Sequence, residues 1–252
     1  MGELFKQLKD RLEQEQGLAT ATIVQGPDHI GSRLLIYPDG TTVGQLGNAE
    51  LETVLIPDAI AALWNAHASV HTYTVPQQST QATEQFIHYE VFIEGFPPPP
   101  ELIIVGAGHI AISLTTFAKA LHYRVTVIDA RATFATRERF PHADELIVAW
   151  PDEILSQRPL YPSTAIAVLT HDPKFDEPTL KIALSRHMGY IGAIGSRQTA
   201  EERAERLSEQ GIPAHQLQRI HGPIGLNIGA TSPEEIALAI MAEIVAVRHQ
   251  KQ

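Results

Sequence analysis

ELIIVGAGHIAISLTTFAKALHYRVTVIDAR, residues 101–131, is the stretch of sequence that decides the fold of most of this chain. An apolar strand over 101–105 is followed by a glycine turn, a helical pattern over 108–121 and a second apolar strand over 124–129. Gly106, Gly108 and Ala111 stand between the first strand and the helix, as in dinucleotide-binding βαβ units. We predict that a phosphate group approaches the backbone at the helix N-terminus, where free N–H groups and the helix dipole favour an anion.

Two charged residues at the end of the second strand extend this prediction. Asp129 follows Gly108 at a distance typical of the acid that accepts hydrogen bonds from a ribose diol, and Arg131 is the alternative contact, to a phosphate. A second interpretation needs no ligand, because the glycines can simply make a tight turn in a chain that has lost its ligand. The fold prediction is the same in both cases.

The remainder of this region alternates strands with helices. Strands are predicted over 145–149, 165–170 and 190–195, and helices over 176–187 and 197–209. Such alternation, with strands that are apolar throughout, indicates a Rossmann-like, doubly wound parallel sheet in an α/β domain. A final helix is predicted after Ser232, with Pro233 in its first turn and Glu235 completing a capping box. Its apolar residues surround the axis, so the helix is either deeply packed or part of a homodimer interface.

The chain divides at four consecutive prolines, residues 97–100, which favour a stiff extended connector. Upstream of them, after a first helix, two β-rich runs are predicted over 18–26 and 33–44, and the second folds over a turn at Pro38–Gly40. They are followed by helical spacing that is interrupted near Pro57 and by alternating strands over 69–75 and 85–95. We therefore predict a smaller α+β domain over 1–94, a linker over 95–100 and the Rossmann-like domain over 101–252.

Composition excludes several classes of protein. The formal charge is −10, and no dense run of Lys or Arg is present, which argues against nucleic acid or a membrane surface as a partner. No apolar run approaches the roughly 20 residues of a membrane span, and the amphipathic first residues are not a leader, so we predict a cytoplasmic protein. The absence of cysteine excludes disulfides, thiolate nucleophiles and zinc–thiolate sites, and we predict no metal site.

Further polar side chains follow two of the predicted strands. The carboxyl ends of parallel strands meet at one edge of a sheet, so these side chains are predicted to face the same crevice as Gly108 and His109. They are His171, Asp172, Ser196 and Arg197.

Each of these groups also has an interpretation without a ligand. Asp172 suits an Asp turn before Pro173, and Ser196 suits a helix cap. Arg197 can pair with Glu201 four residues on. The residues alone leave both interpretations open, and no motif supplies the general acid or base that a dehydrogenase needs.

Four motifs together resemble the C-terminal domain of the xanthine dehydrogenase accessory family, XdhC/CoxI. They are VGAGHIA (105–111), THDPKFDEPTL (170–180), GYIGAIGSRQTAEERAERL (189–207) and HGPIGLNIGATSPEEIALAIMAEIVAVR (221–248). The match covers nearly all of 101–250 in order and is far more specific than the glycine pattern. The first domain resembles the family's smaller domain more loosely, through LATATIV (18–24), GSRLLIYPDG (31–40) and GQLGNAELE (44–52).

The resemblance implies a maturation factor with little or no turnover of its own. Members bind molybdenum cofactor, as molybdopterin or its dinucleotide form, help its sulfur ligand to be installed and pass it to a molybdenum hydroxylase of the xanthine dehydrogenase or CO dehydrogenase type. Carried over by motif position, the cofactor lies beside Gly106, Gly108, His109 and Asp129, with Arg131 adjacent. The opposing loops are then those of His171, Asp172, Gly195, Ser196 and Arg197.

The sequence departs from the family in the first domain. Many members carry a Gly-Gly-Cys-x-Glu run where this chain has Asn48 to Glu52, so Glu50 takes the cysteine position and Glu52 keeps the acid. A Ser-x-Pro-Arg loop of the family is likewise replaced by QGPDHIGS (25–32). Glu50, Glu52 and Asp172 are candidate proton acceptors, although Glu52 is also explained as an ordinary exposed helix carboxylate.

Persulfide transfer requires a thiolate, which this chain lacks, so a separate sulfur donor is predicted, a cysteine desulfurase. Two other functions stay open on the sequence. One is an NAD(P)-dependent oxidoreductase with its substrate site between the two domains. The other is a nucleotide-sensing regulator without chemistry.

Overall fold

The computed structural model describes residues 2–76 and 86–249, and the chain divides into two compact units, Met1–Pro98 and Pro99–Gln252. The last strand of the first unit ends at Phe96, so residues 95 and 96 of the predicted linker belong to that strand. Gln85, the first residue of the predicted strand 85–95, lies outside the described residues. In the described part of the chain, no helix combines the length and the apolar character needed to cross a membrane.

The N-terminal unit is a five-stranded antiparallel sheet with helices. In chain order its elements are α1 (Glu3–Glu13), β1 (Leu18–Gln25), β2 (Arg33–Ile36), β3 (Thr42–Gly44), α2 (Ala49–Asn65), β4 (Ala68–Pro76) and β5 (Phe86–Phe96). The strand order is β3-β2-β1-β5-β4. Alternate residues of β1, such as Ala19, Ala21 and Ile23, join a buried cluster with Leu51 and Leu55 of α2. The sheet therefore buries one face under α2.

Helix α2 corrects one prediction from the sequence. It continues through Pro57, so the predicted interruption at that residue is wrong. Asn48 caps its start by accepting hydrogen bonds from the backbone N–H groups of Glu50 and Leu51. Buried leucines on both sides of Pro57 pack against the sheet, and this packing outweighs the one backbone hydrogen bond that proline removes.

The C-terminal unit is a six-stranded parallel sheet. Its elements are β6 (Glu101–Val105), α3 (His109–Ala120), β7 (Arg124–Ile128), β8 (Glu145–Ile147), α4 (Pro151–Gln157), β9 (Thr164–Val168), α5 (Pro173–Leu184), β10 (Tyr190–Ala193), α6 (Arg197–Glu209), α7 (Ala214–Leu217), β11 (Ile220–His221) and α8 (Pro233–His249). The strand order is β11-β10-β9-β6-β7-β8. The chain builds outward from β6 on one side and then on the other, so the predicted doubly wound Rossmann order is confirmed.

Helices cover both faces of this sheet. Leu102 and Ile104 of β6 point into a cluster shared with α3 and α8, whereas Ile103 and Val105 point into a cluster shared with α4, α5 and α6. Burial on both faces explains why the strands are apolar without alternation. Helix α8 buries much of its apolar surface in this core, at Ala237, Ala239, Ile240, Met241 and Ile244. Deep packing therefore accounts for its pattern, and the homodimer stays a prediction.

Local signals predicted some helix ends better than others. Helix α6 has its predicted bounds, and the capping box of α8 is confirmed, since Ser232 Oγ accepts from the Glu235 N–H at 3.2 Å and Glu235 Oε2 accepts from the Ser232 N–H at 3.0 Å. Helix α5 begins at Pro173, three residues before the prediction, because Asp172 caps it. The short elements α4, α7 and β11 were not predicted.

Candidate functional site

In the glycine turn after β6, Gly106 is tightly packed, whereas Gly108 faces open space. Gly106 has φ +103°, and a Cβ there would stand 2.8 Å from Thr170 Cγ2 and 3.1 Å from the backbone of Leu169. Only glycine therefore allows the loops after β6 and β9 to meet. A Cβ on Gly108, by contrast, would have no atom within 4 Å.

Open space at Gly108 lies directly at the start of α3. Gly108 is the N-terminal cap of this helix and, as a glycine, provides no side-chain cap hydrogen bond. His109, the first helical residue, is exposed. The turn thus presents uncapped backbone at a helix N-terminus, the geometry predicted for a phosphate contact.

Asp129 is the buried centre of the next loop. Its carboxylate is 3 % exposed and accepts hydrogen bonds from the N–H groups of Ala107 (2.8 Å) and Arg131 (2.9 Å). It also accepts from Nε and Nη2 of the Arg131 guanidinium, at 2.9 and 2.8 Å. Burial by itself would raise the pKa of Asp129, but these hydrogen bonds lower it on balance. Asp129 therefore ties the glycine turn to Arg131, and its predicted ribose contact stays a prediction.

The Arg131 side chain is held at this position while 45 % of it remains exposed. Asp129 raises the pKa of Arg131, so the guanidinium is a permanent charge, and Asp172 adds a smaller contribution in the same direction. Arg131 is thus a fixed cation at the carboxyl edge of the sheet, suited to an anionic group.

The loop after β9 contains His171 and Asp172. Asp172 accepts a hydrogen bond from the Lys174 N–H at 3.0 Å and caps α5, which is the alternative role that the sequence left open. His171 is exposed and has a left-handed backbone, with φ +62°. Asp172 consequently has a structural role whether or not a ligand binds nearby.

The loop after β10 is likewise organised as a helix start. Ser196 Oγ accepts from the Thr199 N–H at 3.1 Å, so Ser196 caps α6, and Gly195 before it has φ +144°. Arg197 is exposed and lines a cavity beside α6. Among the ion pairs of residues 2–76 and 86–249, none joins Arg197 to Glu201.

Two aromatic side chains near the same edge were not predicted from the sequence. The Arg131 guanidinium lies 4.3 Å from the ring centroid of Phe134. The Lys174 ammonium lies 4.6 Å from the ring centroid of Trp150, which is 37 % exposed. Both aromatics follow soon after a strand of the parallel sheet, and that position is the signal that could have found them.

The two acids of the N-terminal unit differ in their contacts. Glu52 is half-buried, and its Oε1 accepts a hydrogen bond from the Leu46 N–H at 2.6 Å. It holds the loop before α2 and is not the ordinary exposed carboxylate of the alternative interpretation. Glu50 is exposed in the first turn of α2.

Comparison with known proteins covers both units. The family model described as XdhC Rossmann domain matches residues 102–244, and that of the XdhC and CoxI family matches residues 11–74. A relative from Bacillus subtilis (strain 168), named as a probable xanthine dehydrogenase subunit, is 35 % identical over 175 residues, which are 68 % of this chain and 51 % of the relative. The chain therefore spans about half the length of that relative.

A second relative and a solved structure agree with this match. The molybdenum cofactor insertion chaperone PaoD of Escherichia coli (strain K12) is 33 % identical over 90 residues, which are 35 % of this chain and 28 % of the relative. A crystal structure described as a xanthine dehydrogenase from Bacillus halodurans has a TM-score of 0.55 and 22 % identity, covering 98 % of this chain and 96 % of its own. At that identity the likeness shows a shared fold.

Proposed function

Because the chain belongs to the XdhC and CoxI family, we propose that it is an accessory factor for the maturation of molybdenum cofactor in a xanthine dehydrogenase. In this proposal it binds the cofactor, holds it for sulfuration and delivers it to a molybdenum hydroxylase of the xanthine dehydrogenase or CO dehydrogenase type. The observation that carries the proposal is the family match over 102–244, which includes a glycine turn with open space at Gly108.

The phosphate group of the cofactor is the part that this chain is suited to hold. In the proposal the phosphate lies at the start of α3, against the backbone of Gly108 and His109, and Arg131 pairs with an anionic oxygen. Asp129 acts as a positioning residue, since its four accepted hydrogen bonds fix Arg131 and the turn. The bound cofactor supplies the molybdenum centre that the client enzyme uses.

Sulfur chemistry is assigned to another protein in this proposal. The chain contains no cysteine and cannot carry sulfur as a persulfide, so a cysteine desulfurase is the proposed donor. Glu52 and Asp172 already accept backbone hydrogen bonds, which leaves Glu50 as the more available of the three candidate proton acceptors. The homodimer and the cytoplasmic location stay predictions from the sequence.

The test is a binding titration with molybdopterin, followed by ligand fluorescence, on the wild-type chain and on Gly108→Asp. The variant is expected to fold, because a Cβ at Gly108 meets no atom within 4 Å, and to bind at least about tenfold more weakly, because a carboxylate enters the space of the phosphate. Thr116→Asp is the matched control, since it adds the same charge on the exposed side of the same helix. It should bind like the wild type.

Two outcomes would overturn the proposal. One is unchanged affinity of folded Gly108→Asp for molybdopterin. The other is selective binding of NAD(P) without binding of molybdopterin, which would support the oxidoreductase alternative.

A further inference from the structure

The cavity beside α6 lies in the C-terminal unit, on the opposite side of β9 from the glycine turn. Its volume is about 390 Å³, within the range of small-molecule sites. It is bounded by α6, α7, β11 and the loop after β11, with Arg197, Ala200, Glu201, Arg203, Ala204, Leu217, Ile220, Gly222 and Pro223 as its lining. Strands β9 and β10 separate β11 from β6 in the sheet, so this cavity is distinct from the phosphate position proposed at Gly108. Arg197, which the family motif placed beside the cofactor, lines this cavity.

A buried guanidinium, that of Arg203, lies at this cavity. The Arg203 side chain is only 4 % exposed, and its Nη2 donates to the Ile194 carbonyl at 2.6 Å. Asp176 Oδ2 lies 3.6 Å from the same nitrogen. Nη1 is buried and meets no hydrogen-bond acceptor in the portion of the chain that the structure describes. Since buried polar groups are almost always paired, Nη1 indicates a missing acceptor.

The main chain of Gly222 places this nitrogen beside the cavity. A Cβ on Gly222 would stand 3.9 Å from Arg203 Nη1 and 3.3 Å from the Ala200 Cβ. The loop is fixed by Glu243, which accepts hydrogen bonds from the Gly225 N–H at 2.8 Å and from the Tyr190 hydroxyl at 2.5 Å. The HGPIG segment therefore forms a preformed wall next to an unpaired donor.

The charge of the lining selects the kind of anion. Arg197 and Arg203 contribute two positive charges, and Glu201 contributes one negative charge. Asp176 lies against Arg203, and burial raises its pKa. The net charge is thus at most +1, which favours a monoanion over a phosphate dianion. Among the remaining lining side chains, Leu217 and Ile220 are apolar and favour a ligand with an apolar body.

We propose that this cavity binds a small organic carboxylate. The carboxylate pairs with the exposed Arg197 guanidinium and with the positive charge of Arg203, and the apolar part packs against Leu217 and Ile220. No chemical step is assigned to the site.

The experiment is an NMR titration of the whole chain with benzoate, alongside inorganic phosphate and benzyl alcohol. Saturable benzoate binding with Kd below about 10 mM is expected, with neither comparator binding as tightly. Ala204→Leu fills the cavity while retaining Arg203 and should weaken benzoate at least about tenfold. Arg197→Ala should weaken it about three- to tenfold through the lost charged contact.

Removal of the negative charge from the lining should strengthen benzoate binding, in contrast to the two variants that weaken it. Glu201→Gln should tighten benzoate binding by about two- to fivefold, whereas Glu202→Gln, on the same helix but outside the lining, should leave it unchanged. Gly108→Asp should also leave it unchanged, which separates this site from the cofactor site. Circular dichroism is the check that each variant is folded.

The proposal is overturned if the folded wild type shows no saturable benzoate binding, or if phosphate binds more tightly than benzoate. It is equally overturned if benzoate binds but Ala204→Leu and Arg197→Ala leave its affinity unchanged.

Discussion

Asp129→Asn tests whether the fold of the site depends on one buried carboxylate. In the wild type, Oδ1 accepts from the N–H and Nε of Arg131, and Oδ2 accepts from the Ala107 N–H and Arg131 Nη2. Asparagine keeps the size of the side chain but replaces one oxygen by an NH₂ group. Whichever way the amide is turned, the NH₂ group then faces two donors.

The cost follows from these contacts. An unpaired buried N–H group, such as that of Ala107, costs about 1–3 kcal/mol. Loss of the ion pair to Arg131 adds about 0.5–1 kcal/mol, a low value because 45 % of the arginine side chain is exposed. We expect the free energy of unfolding to fall by about 1.5–4 kcal/mol.

Asp144→Asn is the matched control. Asp144 accepts from Lys119 through both oxygens but from only one backbone group, the Val125 N–H at 2.7 Å. The amide oxygen can keep that backbone contact, so only a half-exposed ion pair is lost, at a cost of about 0–1 kcal/mol.

Urea unfolding followed by circular dichroism measures both variants. Equal losses of stability in the two variants would refute the central role of Asp129. Binding supplies a second measurement, because a positioning role weakens molybdopterin and its dinucleotide form equally. A ribose contact weakens only the dinucleotide form, and that result would refute the positioning role.

Three further predictions concern stability. Gly106→Ala should lower the free energy of unfolding, measured in urea, by about 2–4 kcal/mol, because the φ of +103° and the Thr170 contact both oppose a Cβ. A loss below about 1 kcal/mol would contradict the close packing of Gly106 against Thr170. Gly95→Ala should cost about 3 kcal/mol or more in the same assay, because its Cβ would stand 2.0 Å from the Ala62 carbonyl oxygen. Burial alone would raise the pKa of the Glu243 carboxyl, but its hydrogen bonds lower the pKa on balance. The ionised carboxylate therefore stabilises the folded protein above the ordinary pKa of 4.5, and this stabilisation is lost as the pH falls through the lowered pKa. Glu243→Gln should therefore cost about 1–3 kcal/mol at neutral pH and progressively less in acid, and a cost that does not change with pH would count against this role.

The sequence by itself determined the parts of this protein that depend on neighbouring residues. Uninterrupted apolar strands alternating with helices required a parallel sheet covered on both faces, and the structure has that sheet. The capping box of Ser232 and Glu235 and the glycine turn at Gly106 were likewise visible, because caps and turns are formed by residues a few positions apart. The family was recognisable from the sequence for the same reason, because its motifs are local patterns of residues.

Tertiary structure alone decided which donor meets which acceptor. Asp129 bonds to Ala107 across 22 positions of sequence, and Glu52 closes a loop where the sequence suggested an exposed acid. Whether α2 breaks at Pro57 depended on packing against the sheet and not on the helix itself. The loop after β11 likewise meets α6 only through the strand order, which brings Gly222 beside Ala200 and Arg203. Periodicity sets the elements, but contacts between distant loops depend on how the sheet arranges them, and no short stretch of sequence contains that arrangement.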